Sequence, residues 1–414
     1  MSTRKLAFPV FDADNHMYET PEALTKFLPP EYKGVIQYVQ VNGRTKVAIK
    51  GQISNYIPNP TFNKVAPPGA MEIEFKLKNP SSNASAQDLK LEPPPRYIEA
   101  PPAFFEPAPR LALMDELGLD RSMMWPTLAS LVEERLAGDL PATHAVVHAL
   151  NQWMYETWSF NYEDRIFATP VITLPIVDKA IEELEWVLDR GARAILVRPA
   201  PVPDVDGRRR SFALEEFDPF WKLVEEADIV VGMHASDDGS QRYLNEWEGL
   251  RGDEFQPFAG RRSAFVDIIT ADHRGIHDVV ASIVGHGLAS RFPRLKIVPV
   301  ENGSAWVRPL VQVLERLYER TPHIFSEDPV AALKRCVYVH PFHEEDPLGL
   351  IELVGVDNVV FGSDYPHPEG MYDPTSFVDE LASLTEGDKA KVMGGNMDRL
   401  MKIGALGSPR MFNL

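Results

Sequence analysis

The chain has 414 residues, 44% of them hydrophobic and 25% charged, with 60 acidic against 42 basic side chains and a formal net charge of −18. That hydrophobic share excludes a disordered chain, and no apolar run reaches the roughly 18 residues of a membrane span. The acid excess argues against a nucleic-acid binder, the single cysteine, Cys336, excludes a disulfide framework, and an N-terminus without a signal-peptide core sets the expectation of a cytoplasmic protein.

Taken in chain order, the first β-rich run covers residues 7–11 and leads into Asp12-Ala-Asp14-Asn15-His16. Alternate residues of a strand share a face, so Asp12, Asp14 and His16 point into one cavity if the extended geometry persists. A carboxylate and an imidazole at such spacing suit a divalent metal; an Asx turn or helix cap explains the same residues without one. More than one hundred residues then separate this run from Arg121. Residues 35–41 and 45–49 flank Asn42-Gly43, a two-residue hairpin signal. Twelve of the 36 prolines fall between Pro58 and Pro109, residues 71–77 alternate as a short strand, and 79–87 read as a polar, mobile stretch. Residues 30–108 are therefore expected to be an insertion after the first strand. It is either a surface ornament or dimer arm, or a cap over a site.

Further Val/Ile/Leu-rich runs follow at 121–125, 167–174, 194–197, 229–233, 296–300, 337–340 and 358–361. They alternate little, as expected of parallel strands covered on both faces. Between them, 143–160, 179–190, 214–227, 264–284, 306–320 and 375–384 carry apolar residues at three- and four-residue steps. Eight strands alternating with helices predict one α/β domain over 1–414, a (β/α)8 TIM barrel with a Pro-rich, hairpin-containing insertion after strand one. A doubly wound sheet is the alternative, but no Gly-x-Gly-x-x-Gly follows any strand.

Three more strands end in chemistry-bearing residues: the fifth in His234, the sixth in Glu301, and the eighth in Gly362-Ser363-Asp364-Tyr365-Pro366-His367. Each alone has a plain structural explanation. Together they gather Asp, His and Glu at the face where barrel sites form, which one metal with three or four protein ligands explains. A salt-bridge network is the competing explanation, and it would more naturally use Arg and Lys. Arg198, after strand four, suits a substrate carboxylate or a salt bridge equally. His340 and His367 are candidates for lining a pocket, Trp125-Pro126-Thr127 for its wall, and Cys336, placed at the start of strand seven, for a small buried hydrophobe.

These motifs resemble the amidohydrolase superfamily in its type 2 branch, which includes aminocarboxymuconate-semialdehyde decarboxylase, γ-resorcylate decarboxylase and lactone hydrolases. Asp12-x-Asp14-x-His16-x-x-Glu19 is similar to its opening motif, with Asp14 replacing a histidine. Phe217-Asp-Pro-Phe-Trp-Lys and the strand to His234, Arg291-Phe-Pro-Arg-Leu-Lys-Ile, the segment around Asp364, and Gly394-Gly-Asn396 resemble later segments. The resemblance implies a metal held by Asp14, His16, His234 and Asp364, zinc first with manganese as the alternative. Asp364 and Glu301 would be catalytic, with Arg198, His340 and His367 contacting a small-molecule substrate. It also implies a homodimer with no nucleic-acid or membrane partner. One departure stands out: where the decarboxylases end strand six in His-Gly-Gly, this chain has Glu301-Asn302-Gly303, leaving Glu301 as either a ligand or a base. Hydrolysis of a lactone, amide or ester is the first expectation, non-oxidative decarboxylation the alternative, and a non-catalytic barrel the second alternative.

Overall fold

Parallel strands need long crossovers and bury both faces, and the burial of this chain follows that rule. The computed structural model describes residues 4–54, 62–78, 92–251, 263–270 and 273–403. Phe11–Met17 pairs in parallel with Arg121–Pro126, which pairs with Ile166–Ala168. After Thr169 and Pro170 the chain resumes as Val171–Ile172, which pairs with Ala194–Val197. The order continues through Val230–His234 to Lys296–Val300. Parallel bridges Ile297–Val337, Val339–Val359 and Asn15–Tyr365 then carry the pairing round to where it began. The fold is mixed α/β, and its eight parallel segments follow one another in chain order round a closed circuit.

Helices fill the intervals and face the circuit with apolar sides. Leu140–Trp158 buries Trp153, Met154 and Trp158, and Val307–Arg320 buries Val307, Leu310, Val311 and Leu314. Inside, Trp125 is fully buried, donates from Nε1 to the Ala13 carbonyl at 2.9 Å, and lies flat against Gly232. A Cβ at Gly232 would stand 2.0 Å from the Trp125 ring, so strand five needs glycine there.

Several elements depart from the sequence expectation. The first strand is Phe11–Met17 rather than 7–11, because its polar residues are all buried and pair like the rest. Its register slips between Asp12 and Asn15, which breaks simple alternation. Residues 71–77 belong to a helix, Ala70–Lys78. Their Met71, Ile73, Phe75, Leu77 spacing imitates a strand, but Glu72–Lys76 and Glu74–Lys78 are i,i+4 pairs in the favourable order, and only Ile73 of the four is buried. The helix expected over 375–384 is a 3-10 turn, Pro374–Asp379, where Thr375 and Ser376 hydroxyls bond back to Asp373. Residues 264–284 form two helices, Ala264–Thr270 and Arg274–Gly285. Cys336 ends the helix Pro329–Cys336 instead of starting a strand; it is buried, and burial pushes its thiol up to about 12. The polar stretch 79–87 lies outside the described residues.

Between the first and second parallel strands, the hairpin pairs Ile36–Val41 with Arg44–Ile49, and Asn42 and Gly43 both take the positive φ that its tight turn requires. The helix Ala70–Lys78 docks on the loop after strand eight: the Gly69 and Met71 amides donate to the His367 and Pro368 carbonyls at 3.1 and 2.8 Å. Glu72 accepts from the Tyr372 amide at 2.7 Å. No described helix is long and apolar enough to cross a membrane.

Candidate metal centre

Four strand ends bring their polar residues to one place. His16 Nε2 lies 2.9 Å from His234 Nε2, and these nitrogens stand 3.5 and 3.4 Å from Asp14 Oδ1. Asp364 Oδ1 is 3.4 Å from His16 Nε2, and Glu301 Oε2 is 3.3 Å from His234 Nε2. Asp14, His16 and His234 each offer a ligand atom within one small sphere, as do His16, Asp364 and His367, and Glu301, Asp364 and Glu369.

Asp14 tests whether these groups suit a cation. It has no exposed surface, and neither carboxylate oxygen has a hydrogen-bond partner. A buried carboxylate without a donor is costly unless a positive charge stands beside it. The His234 ring supports the same reading: its Nδ1 lies 2.9 Å from the Ala235 carbonyl, which can only accept. The proton therefore sits on Nδ1, and a neutral His234 presents its Nε2 lone pair to Asp14 and His16. Two imidazoles and two or three carboxylates form a donor set that fits zinc or manganese.

The electrostatics of the protein groups alone show the strain that such an ion relieves. Burial opposes ionisation of Asp14, but its contacts with His16 and His234 hold its carboxyl well below the usual range. Burial pushes Asp364 well up, helped by the charges of Asp14 and Glu369. Glu301, whose side chain is still 25% exposed, is pushed up by burial and by Asp364. Burial lowers His16 and His340, whereas His234 is raised by Asp14 and Glu301 against the effect of its own burial. Too many carboxylates share too little space, and a divalent cation is the group that lets them ionise together. Glu301 and Asp364 also take positive φ values of 53° and 55°, backbone strain at the two proposed catalytic carboxyls.

The other expected site residues fall into two groups. His340 is buried with Nδ1 3.6 Å from Asp14 Oδ2; its Nε2 contacts the Gly362 carbonyl, and its Nδ1 accepts from the Glu301 amide at 3.2 Å. His367 stacks on His16 with ring centroids 4.0 Å apart, and its Nδ1 is 2.7 Å from Asp364 Oδ1. Arg198 is held elsewhere: it donates to Glu134 and to the Asp237 carbonyl, both at 2.6 Å. Glu134 is shared with Arg209 and Arg242, and these arginines draw its carboxyl down to about 2 despite burial. Asp12 does not join Asp14 and His16. After the register slip it accepts from the Asn15 amide group and from the backbone amide and hydroxyl of Ser363, tying strand one to strand eight.

Sequence reasoning missed the supports behind the site. Arg110 is fully buried and donates to the Ala103 and His16 carbonyls, both at 2.6 Å, and to Asn15. Nothing in Pro109-Arg110-Leu111 announces that role. Gly362 leaves room that a Cβ would take 2.5 Å from Asp14 Cβ and 2.8 Å from His340 Nε2. Its place two residues before Asp364 was the available signal. Asn302 bonds the Met233 and Val300 carbonyls at 2.8 and 2.7 Å and so fastens the ends of strands five and six together.

Comparison with known proteins agrees with this geometry. The family model described as amidohydrolase matches residues 15–402. An amidohydrolase from Mycobacterium avium subsp. paratuberculosis K-10 is 35% identical, with a TM-score of 0.85 over 97% of this chain and 99% of that one. A 5-carboxyvanillate decarboxylase from Novosphingobium aromaticivorans, solved with manganese, is 16% identical with a TM-score of 0.58 over 96% and 97%. A dihydroxybenzoic acid decarboxylase from Polaromonas sp. JS666, also with manganese, is 18% identical with a TM-score of 0.51 over 71% and 85%. The likeness to the two decarboxylases is one of fold.

Proposed function

This chain belongs to the amidohydrolase family, and from that premise we propose that it is a metal-dependent hydrolase acting on a lactone, amide or ester of a small organic acid. The family implies a TIM barrel, in keeping with the closed circuit of parallel segments. The observation that carries the proposal is the buried, unpartnered carboxylate of Asp14 facing His16 and His234.

Asp14, His16, His234 and Asp364 would hold the ion, zinc in this reading and manganese in the alternative. A divalent ion bound there supplies Lewis acidity, polarising a substrate carbonyl and making water a nucleophile near neutral pH. Glu301 reaches in from the end of strand six with part of its surface open, and is placed to take a proton from the attacking water. Asp364, bonded to His367, is the second carboxyl that can return a proton to the leaving group. His340 and His367 flank these carboxyls. A substrate carboxylate reaching Arg198 would compete with Glu134 for it. The insertion over 30–108 serves as a cap that selects the substrate; its support is the docking of helix Ala70–Lys78 on the loop that carries His367 and Glu369.

Glu301 also favours hydrolysis over decarboxylation, since it places a carboxylate where the resemblance expects a decarboxylase histidine. The carboxylate-rich donor set, which suits manganese, favours the second reading, a non-oxidative carboxy-lyase. A panel of lactones, amides, esters and aromatic carboxylates, assayed for water addition and for CO₂, separates the two. Hydrolysis without CO₂ is expected; CO₂ release overturns the hydrolase reading.

A further inference from the structure

Three groups meet at the hydroxyl of Thr127, the residue that follows strand Arg121–Pro126. Its Oγ1 lies 3.0 Å from the Met17 carbonyl, 3.3 Å from His16 Nδ1 and 3.3 Å from His367 Nε2. A hydroxyl has one proton to give and two lone pairs to receive. The Met17 carbonyl can only accept, and at 3.0 Å an oxygen pair without a proton between them repels. The hydroxyl proton therefore goes to Met17, and both imidazole nitrogens must be the donors.

That assignment fixes the rings. His16 carries its proton on Nδ1, so its Nε2 lone pair faces His234 Nε2 at 2.9 Å. His234 is fixed the same way from its other side by the Ala235 carbonyl. Two lone pairs facing at that distance are unfavourable in the absence of a cation and suited to one in its presence. Strand pairing places the hydroxyl: His16 is opposite Trp125 and Met17 opposite Pro126, so Thr127 is the first residue beyond the ladder. The next residue is held as well, because the Leu128 amide donates to the buried Glu19 carboxyl at 2.7 Å.

We propose that Thr127 is a positioning residue that sets the tautomer of His16 for metal ligation and tethers the ring of His367 beside it. This rests on the metal reading above. The bland alternative is a threonine that only caps the Met17 carbonyl.

The test compares wild type with Thr127→Val, which keeps the shape and loses the hydroxyl, and Thr127→Ser, which restores it. Zinc and manganese affinities are measured by competition with a chelator, beside thermal unfolding. Thr127→Val should bind the ion about 10- to 100-fold more weakly, with Thr127→Ser close to wild type. Nitrogen-15 NMR of the metal-free wild type should show His16 protonated on Nδ1. A folded Thr127→Val with unchanged affinity overturns the inference and leaves the metal reading standing. A wild type that binds no ion overturns both. Should Thr127→Val not fold, His16 protonated on Nε2 in the wild type still overturns the inference.

Discussion

Glu19 has no exposed surface, its Oε1 accepts from the Leu128 amide, and its Oε2 has no partner. Burial lifts its carboxyl from 4.5 to about 8, only partly offset by the amide. The folded state therefore holds this proton more tightly than the unfolded chain does. Its contribution to stability is complete below about 4.5 and is lost as pH rises toward about 8. At about 1.4 kcal/mol per pKa unit, the loss between the unfolded value and pH 7 is about 3 kcal/mol. Glu19→Gln keeps an acceptor for Leu128 and removes the ionisation. Urea unfolding of metal-free wild type and variant at pH 5, 6, 7 and 8 reads the difference. Other buried carboxyls titrate in both proteins and cancel in the comparison. Relative to wild type, the variant should gain stability steadily across this range, by about 3 kcal/mol in all. A difference that does not change with pH would refute the placement of a neutral, buried Glu19.

Two further predictions concern the frame around the site. Gly362→Ala forces a Cβ against Asp14 and His340, so it should cost about 1–3 kcal/mol by overpacking and also weaken metal binding, read by denaturation and chelator competition. Arg110→Met leaves the Ala103 and His16 carbonyls and Asn15 without their donor, and should destabilise the protein by about 3 kcal/mol in urea unfolding; an effect under about 0.5 kcal/mol would contradict its structural role.

What the sequence made legible follows from where the signal is local. Runs 194–197 and 296–300 coincide with strands because continuous Val/Ile/Leu stretches have no other simple use. Asp14, His16, His234 and Asp364 meet because each lies at a strand end on the same face, a position that chain order alone predicts. Strand one was placed too early because its polar residues, the ones that matter, interrupt the apolar pattern. Asp12 looked like a third ligand, since alternation cannot foresee a register slip. Short helices such as Pro329–Cys336 and Pro347–Val354 span about two turns and give little periodicity, yet Asp328-Pro329 and Asp346-Pro347 are readable N-terminal signals, with each aspartate capping two amides. Arg110 and Thr127 act across more than ninety residues of separation, and no local pattern encodes that.

The metal itself is the central claim, and elemental analysis of the purified protein tests it most directly. Wild type, dialysed and then reloaded with zinc or manganese, should retain one divalent ion per chain. Asp14→Ala and His234→Ala should each lose it while keeping a wild-type circular dichroism spectrum. A wild type that retains no ion, or folded variants that bind it as well as wild type, would contradict the account.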